Sequence, residues 1–259
     1  MAQTTVPAPI DRITPTRRPE GSPIGYQSWR DLLFVHWRVP AEEIRKLIPS
    51  SLTVDTFDGS AWVGLVPFAM RGVRPWWFPP VPGISNFLET NVRTYVHRNG
   101  TDPGVWFFSL EASKSLAVRV ARWGWRLPYF RARMRLQKNG DQIHYQSQRR
   151  WPEPIPAETD ITIRLPEPRK YQTAEPGTFD HFLVERYYLY STRNMSVSNT
   201  GQLLRGQVHH TPYQYCCAEI VDCYESLLSA VRITASAPPE HVAYSPGVNV
   251  DIFPLAPLD

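Results

Sequence analysis

The chain is poor in cysteine. Cys216, Cys217 and Cys223 are an odd number within eight positions, so they form no disulfide framework and favour a reducing cytoplasm. Long apolar runs are also missing. Arg, Glu or Pro interrupts every candidate membrane span, and MAQTTVPAPI lacks the basic start and apolar stretch of a secretory signal. The expected location is therefore the cytoplasm, with no membrane partner. There is no Gly-rich phosphate motif, no G-x-S-x-G elbow and no H-E-x-x-H helix, which disfavours Gly-rich nucleotide folds. His209, His210, Cys216 and Cys217 read H-H-x5-C-C, which is not a usual zinc spacing. Adjacent strand residues also point to opposite faces, so all four converge poorly. Neither a metal nor a cofactor is expected.

Strand patterns dominate what is present. The 259 residues are 42% hydrophobic and 12% aromatic, with nine Trp to fill a wide interior. Residues 1–24 mix Pro, Thr, Arg and Gly without periodicity and predict a mobile tail before a single domain over 25–259. WRDLLFVHWRV predicts a strand to about Val39, buried on both faces because Leu32 to Val35 are consecutive apolar residues. AEEIRKLI, opened by Pro40, predicts a short helix. RPWWFPPVPG, residues 74–83, is too rich in proline for a ladder strand. It predicts a stiff loop that packs on the core edge or lids a pocket. Strands over 86–97 and 104–111 flank the turn RNGTDPG, and an amphipathic helix should run from Ser113 to near Gly124.

YFRARMRLQKNGDQIHYQSQRR predicts a hairpin about Asn139-Gly140, with Arg131, Arg133 and Arg135 on a wet face. TFDHFLVERYYLYS predicts a capped helical turn leading into a strand. Together these elements predict an α+β fold, predominantly antiparallel β, forming a barrel or closed sheets with a few short helices at the edges. Net charge is only +4, yet Lys114 to Arg150 hold ten Lys or Arg against one acid, Asp141. That block is a solvated face or a site for an anion or nucleic acid.

Ionisable groups set in apolar sequence draw attention to residues 84–126. On a strand, Glu89 shares a face with Phe87, Asn91, Arg93 and Tyr95, while Leu88, Thr90, Val92 and Thr94 face away. Glu89 and Arg93 could orient a substrate there or form a structural ion pair. If Ser113 caps the following helix, Lys114 sits at the positive helix end, where its ammonium is disfavoured. Desolvation would act the same way and favour a neutral, nucleophilic amine; a surface lysine is the simpler explanation. Glu111 either assists Lys114 or serves a structural role at the strand end.

TVDTFDGSAWVGLVPFAM, NFLETNVRTYV, GVWFFSLEA, FLVERYYLY, HHTPY and YSPGVNVDIF together resemble the YqjF-like family of bacterial proteins, from about Trp29 to Phe253. That family is grouped with the acetoacetate decarboxylase-like fold, so the resemblance implies a barrel-like domain with a central cavity. The decarboxylases carry a strand glutamate and, later, a Lys-Lys pair opening a helix after Gly-Phe-Pro. Glu89 resembles that glutamate by context, and Lys114 occupies a similar strand-to-helix position. Ser115 stands where the second lysine would, and Ala112-Ser113 replaces Phe-Pro, so the neighbour that lowers the lysine pKa is missing.

The resemblance implies a cofactor-independent protein with a cavity for a small organic acid or carbonyl compound. If it is an enzyme, the implied class is a carbon–carbon lyase or related imine-forming enzyme. Lys114 would form the imine, Glu89 would exchange protons and Arg93 would hold a carboxylate, with Tyr95 and Glu111 completing the substrate-binding set. The alternatives are a non-catalytic small-molecule-binding barrel and, ranked last, a protein that associates with anions or nucleic acid through residues 114–150. Self-association into a homo-oligomer is left open.

Overall fold

The structure, a computed structural model, describes residues 10–114, 127–192, 201–235 and 237–258. Its first strands are β1 (Gly25–Val39), β2 (Thr53–Val54), β3 (Ala61–Pro75), β4 (Phe87–Arg98) and β5 (Thr101–Ala112). Next come β6 (Tyr129–Asn139), β7 (Gln142–Trp151), β8 (Glu158–Arg164), β9 (Tyr188–Thr192) and β10 (Leu203–His209). The chain ends with β11 (Cys216–Cys217), β12 (Glu219–Glu225), β13 (His241–Ile252) and β14 (Ala256–Pro257). The α-helices are short: α1 (Ala41–Arg45), α2 (Phe179–Val184) and α3 (Leu227–Ala230).

The strand order β4-β5-β9-β10-β13-β1-β3 returns to β4, so the sheet closes into a barrel. Pairing is antiparallel except where β5 meets β6 and β9. β5 changes partner along one edge: Gly104 to Trp106 pair with β9, and Leu110 to Ala112 pair with β6. From there β6, β7, β8 and β12 extend as a flank. The expected α+β, mainly antiparallel architecture is what the chain adopts.

Two cores follow from this arrangement. Leu32, Phe34, Trp62, Phe68, Phe87, Tyr95 and Val105 pack in one, inside the barrel. Leu33, Val35, Trp37 and Ile44 pack with Ile143, Ile161 and Ile163 of the flank in the other. Alternate residues of β1 thus enter different cores, which is why its apolar run is consecutive.

Local differences from the sequence reading have local causes. The turn between β4 and β5 shrinks to Asn99-Gly100, with φ values of 50° and 81°, and Arg98 pairs directly with Thr101. Asparagine and glycine tolerate that left-handed backbone, so two residues suffice. The stretch from Ile10 to Ile24, expected as part of a mobile tail, lies against the barrel. Arg12 Nη2 donates to Asp55 Oδ1 at 2.6 Å, and Gln207 Nε2 donates to the Pro15 carbonyl at 3.1 Å. The helix expected after Ser113 falls at residues 115–126, outside the described residues.

Candidate functional site

Alternation along β4 sends Glu89 and Arg93 into the barrel, where they line a cavity of about 490 Å³. Phe68 pairs with Glu89 and Gly64 pairs with Arg93, so Arg93 lies four residues further from the β3–β4 loop. At ~3.3 Å per residue that is roughly 13 Å deeper. Phe78 and Val81 of the loop line the outer part together with Ile24 and Met70; Arg186 and Tyr213 also face the cavity.

Glu89 is buried, and the Tyr129 hydroxyl donates to its Oε2 at 2.9 Å. Burial drives its pKa up to about 8, outweighing the hydrogen bonds from Tyr129 and Asn91 that favour the anion. The carboxyl is therefore protonated at neutral pH and can donate a hydrogen bond. Burial and the facing carboxyl together hold the Tyr129 hydroxyl well above its ordinary pKa.

Arg93 presents a guanidinium 5.6 Å from the Phe34 ring centre and 5.7 Å from that of Tyr95. Its Nη2 donates to the Leu183 carbonyl at 3.2 Å, and its Nε is buried without a partner. No ion pair among the described residues includes it, and burial alone is expensive for such a charge. Arg186 differs. Its Nη1 donates to Asp55 Oδ2 at 2.8 Å while Asp55 Oδ1 accepts from Arg12, leaving only Nη2 of Arg186 buried and unpartnered.

Further polar contacts fix these walls. Glu185 accepts from the Tyr187 hydroxyl at 2.6 Å and from the Tyr213 N–H at 2.8 Å. The Tyr95 hydroxyl, also buried, donates to the Leu183 carbonyl at 2.7 Å and lies 2.6 Å from His36 Nε2. Leu183 therefore ties Arg93 and Tyr95 together. Tyr95 supports the cavity from behind and does not itself line it.

Glu111 and Lys114 do not join the cavity. Glu111 sits opposite Thr90, and directly opposed strand residues project to the same side, so Glu111 faces the flank. There Arg149 Nη2 and Nε donate to its two oxygens at 2.5 and 3.2 Å, in a pair with no solvent exposure. The substrate-binding role expected for Glu111 gives way to a structural ion pair. Lys114 is exposed two residues past the end of β5. Ser113, read from the sequence as a helix cap, bonds Leu88 through both its N–H and its Oγ, extending the ladder; the helix it was expected to cap lies outside the described residues. The chain carries lysine only at 46, 114, 138 and 170, and all four are exposed. In the basic block, Arg131, Arg133 and Arg135 form the exposed face expected of them, while Arg149 is buried.

Arg186, Tyr129 and Tyr213 escaped the sequence reading. FLVERYYLY carried the signal that singled out residues 84–126, a Glu-Arg pair inside apolar sequence, but its closeness to β4 depends on barrel closure. Among the described residues, no group of three or more His, Cys, Asp or Glu is placed to hold a metal ion.

Acetoacetate decarboxylase from Legionella pneumophila superposes with a TM-score of 0.60 at 11% identity, over 99% of this chain and 93% of that one. An acetoacetate decarboxylase-like enzyme from Sphingomonas wittichii RW1 gives 0.63 at 12%, over 92% and 94%. The enduracididine biosynthesis enzyme MppR, complexed with pyruvate, gives 0.62 at 12%, over 93% and 92%. At these identities the likeness is one of fold. In sequence, the protein YqjF of Bacillus subtilis (strain 168) is 38% identical over 237 residues, 92% of this chain and 93% of the relative. The family described as "Uncharacterized conserved protein", DUF2071, matches residues 26–249, from the second residue of β1 into β13. The chain thus belongs to this YqjF-like family and is built on the acetoacetate decarboxylase-like fold.

Proposed function

We propose that the cavity binds a small organic acid bearing a carbonyl group, and holds it without forming an imine. Arg93 takes the carboxylate, and protonated Glu89, positioned by Tyr129 nearer the mouth, donates a hydrogen bond to a carbonyl oxygen at the far end of the ligand from that carboxylate. The observation that carries this reading is Arg93: a buried guanidinium on the cavity wall, with a free Nε and no carboxylate paired to it among the described residues. An anionic ligand supplies the missing counter-charge. Exposure of all four lysines favours non-covalent binding over the Schiff-base version. MppR, on the same fold, has been seen complexed with pyruvate, which supports the ligand class. The three free cysteines favour a reducing compartment, and the cytoplasm is the location we infer.

Calorimetric titration with pyruvate and with oxo acids whose carbonyl lies several carbons from the carboxylate tests the reading, using wild type, Arg93→Met and Glu89→Gln. Arg93→Met should weaken binding at least about tenfold, since a charge-assisted hydrogen bond is lost. Glu89→Gln, which keeps a donor, should bind comparably at neutral pH. Absence of binding across the panel, or unchanged affinity in a folded Arg93→Met variant, would overturn it.

A further inference from the structure

The loop between β3 and β4 exposes Trp76 by 64%, Trp77 by 66% and Phe78 by 47%. Ile84 and Ile24 beside them are exposed by 41% and 38%. Large aromatics normally leave water when they can, and a contiguous group of them marks a contact surface. Nothing in the loop suggests slack that could fold these side chains inward. Pro75, Pro79, Pro80 and Pro82 restrict its backbone. The Trp76 N–H donates to the Ile24 carbonyl at 3.1 Å. Ser85 closes the tip, its Oγ accepting from the Val81 N–H at 2.8 Å and its own N–H donating to the Val81 carbonyl at 2.9 Å. Trp77 and Phe78 meet edge to face at 5.6 Å. The aromatics are held outward.

We propose that this loop docks the protein onto an anionic lipid surface, with Trp76, Trp77 and Phe78 entering the head-group region. Charge supports that occupant. Residues 59–88 contain no Asp or Glu, and their only charges are Arg71 and Arg74, at the base of the loop. Arg17 and Arg18 are exposed on the neighbouring N-terminal stretch, where Arg18 already covers Asp251 at 3.3 Å; the acids of that stretch are Asp11 and Glu20. Indoles at the interface and arginines among phosphates are a known division of labour at membrane surfaces.

Area argues against a second copy of the chain as the occupant. Three aromatics of roughly 150–250 Å² each, only part exposed, supply a few hundred Å². A stable protein interface needs about 800 Å² from each partner. The contact proposed is peripheral, confined to the loop aromatics and the arginines at its base; among the described residues no helix is long and apolar enough to cross a membrane. Phe78 and Val81 also line the cavity, so a docked protein presents the cavity mouth to the lipid.

Flotation with phosphatidylcholine vesicles, with and without phosphatidylglycerol, tests the proposal using the full chain. Wild type should float with the anionic vesicles, more weakly as salt is raised. The Trp76→Ser/Trp77→Ser double variant should bind at least about tenfold less, given ~25 cal/mol per Å² of apolar area. Arg71→Glu should weaken binding at least about fivefold, at ~1 kcal/mol per basic group. All three residues are exposed, so thermal melts should be unchanged. The proposal fails if wild type floats with neither vesicle, or if the double variant floats as well as wild type. It also fails if the double variant abolishes self-association of the wild type in sedimentation with no lipid binding; a second copy then covers the loop.

Discussion

The Tyr129 hydroxyl donates to the Glu89 carboxyl at 2.9 Å although their strands, β6 and β4, are separated by β5. The bond spans the place where β5 exchanges β9 for β6, so the residues that shape the cavity also close the barrel seam. Glu89 has an ordinary pKa of 4.5 and is pushed up to about 8 by burial. Between those values the unfolded chain has released a proton that the native state retains. Stability should therefore fall as pH rises from about 4.5 to about 8, by on the order of 5 kcal/mol at ~1.4 kcal/mol per pKa unit. Glu89→Gln removes this slope. Urea unfolding across the range should show the variant overtaking wild type on the alkaline side; parallel profiles would show that Glu89 does not titrate this way.

Lysine chemistry is the feature in which this cavity departs from the decarboxylase pattern. With lysines 46, 114, 138 and 170 all exposed, no lysine is placed to attack a bound carbonyl from the wall. Borohydride reduction in the presence of a 2-oxo acid should leave the intact mass unchanged beyond background surface labelling. Lys114→Ala should bind ligand as wild type does. A stoichiometric adduct mapped to Lys114 would restore the imine mechanism.

What the sequence disclosed about this site was local. Period two along NFLETNVRTYV put Glu89 and Arg93 on one face, and that face is the interior. The same rule could not place Glu111, because its side is fixed by pairing with Thr90, a matter of register between strands. Arg186 lies 93 residues beyond Arg93 in sequence (186 − 93) and reaches the same cavity only because β9 pairs with β5. Lys114 misled for a different reason. Ser113 has two uses for its hydroxyl, a helix cap or a strand contact, and among the described residues it makes the strand contact, with Leu88.

The Glu111–Arg149 pair behind the cavity should behave as a unit. Both side chains have no solvent exposure, and the guanidinium lies 3.6 Å from the Phe130 ring centre. Glu111→Gln leaves a buried cation without its partner, at a cost of about 3–5 kcal/mol. Arg149→Met should cost less at low pH, because Glu111, whose pKa burial already raises, can take a proton. The double variant should cost less than the sum of the two, with coupling of about 2 kcal/mol or more in a denaturation cycle. Additive losses would mean that the two charges are held independently.

His210 sets an opposite, acid limb to the stability profile. Its ring stacks on that of Tyr187 at 4.4 Å, and Nδ1 lies 2.8 Å from the Thr211 carbonyl, an acceptor, so Nδ1 carries the proton. Nε2 is buried without a partner, and burial lowers the pKa from 6.5 to about 4. As pH falls below about 6.5 the unfolded chain takes up a proton that the native state refuses. The His210 contribution should thus be complete above 6.5 and lost as pH falls through about 4, by roughly 3 kcal/mol. His36, also buried and held well below its ordinary pKa, adds a loss of the same sign. His210→Phe keeps the stacking on Tyr187 and removes one proton-binding site. Its midpoint for acid unfolding should shift to lower pH than wild type, measured by near-ultraviolet circular dichroism. An unmoved midpoint would assign the acid limb to other groups, with His36 the next to substitute.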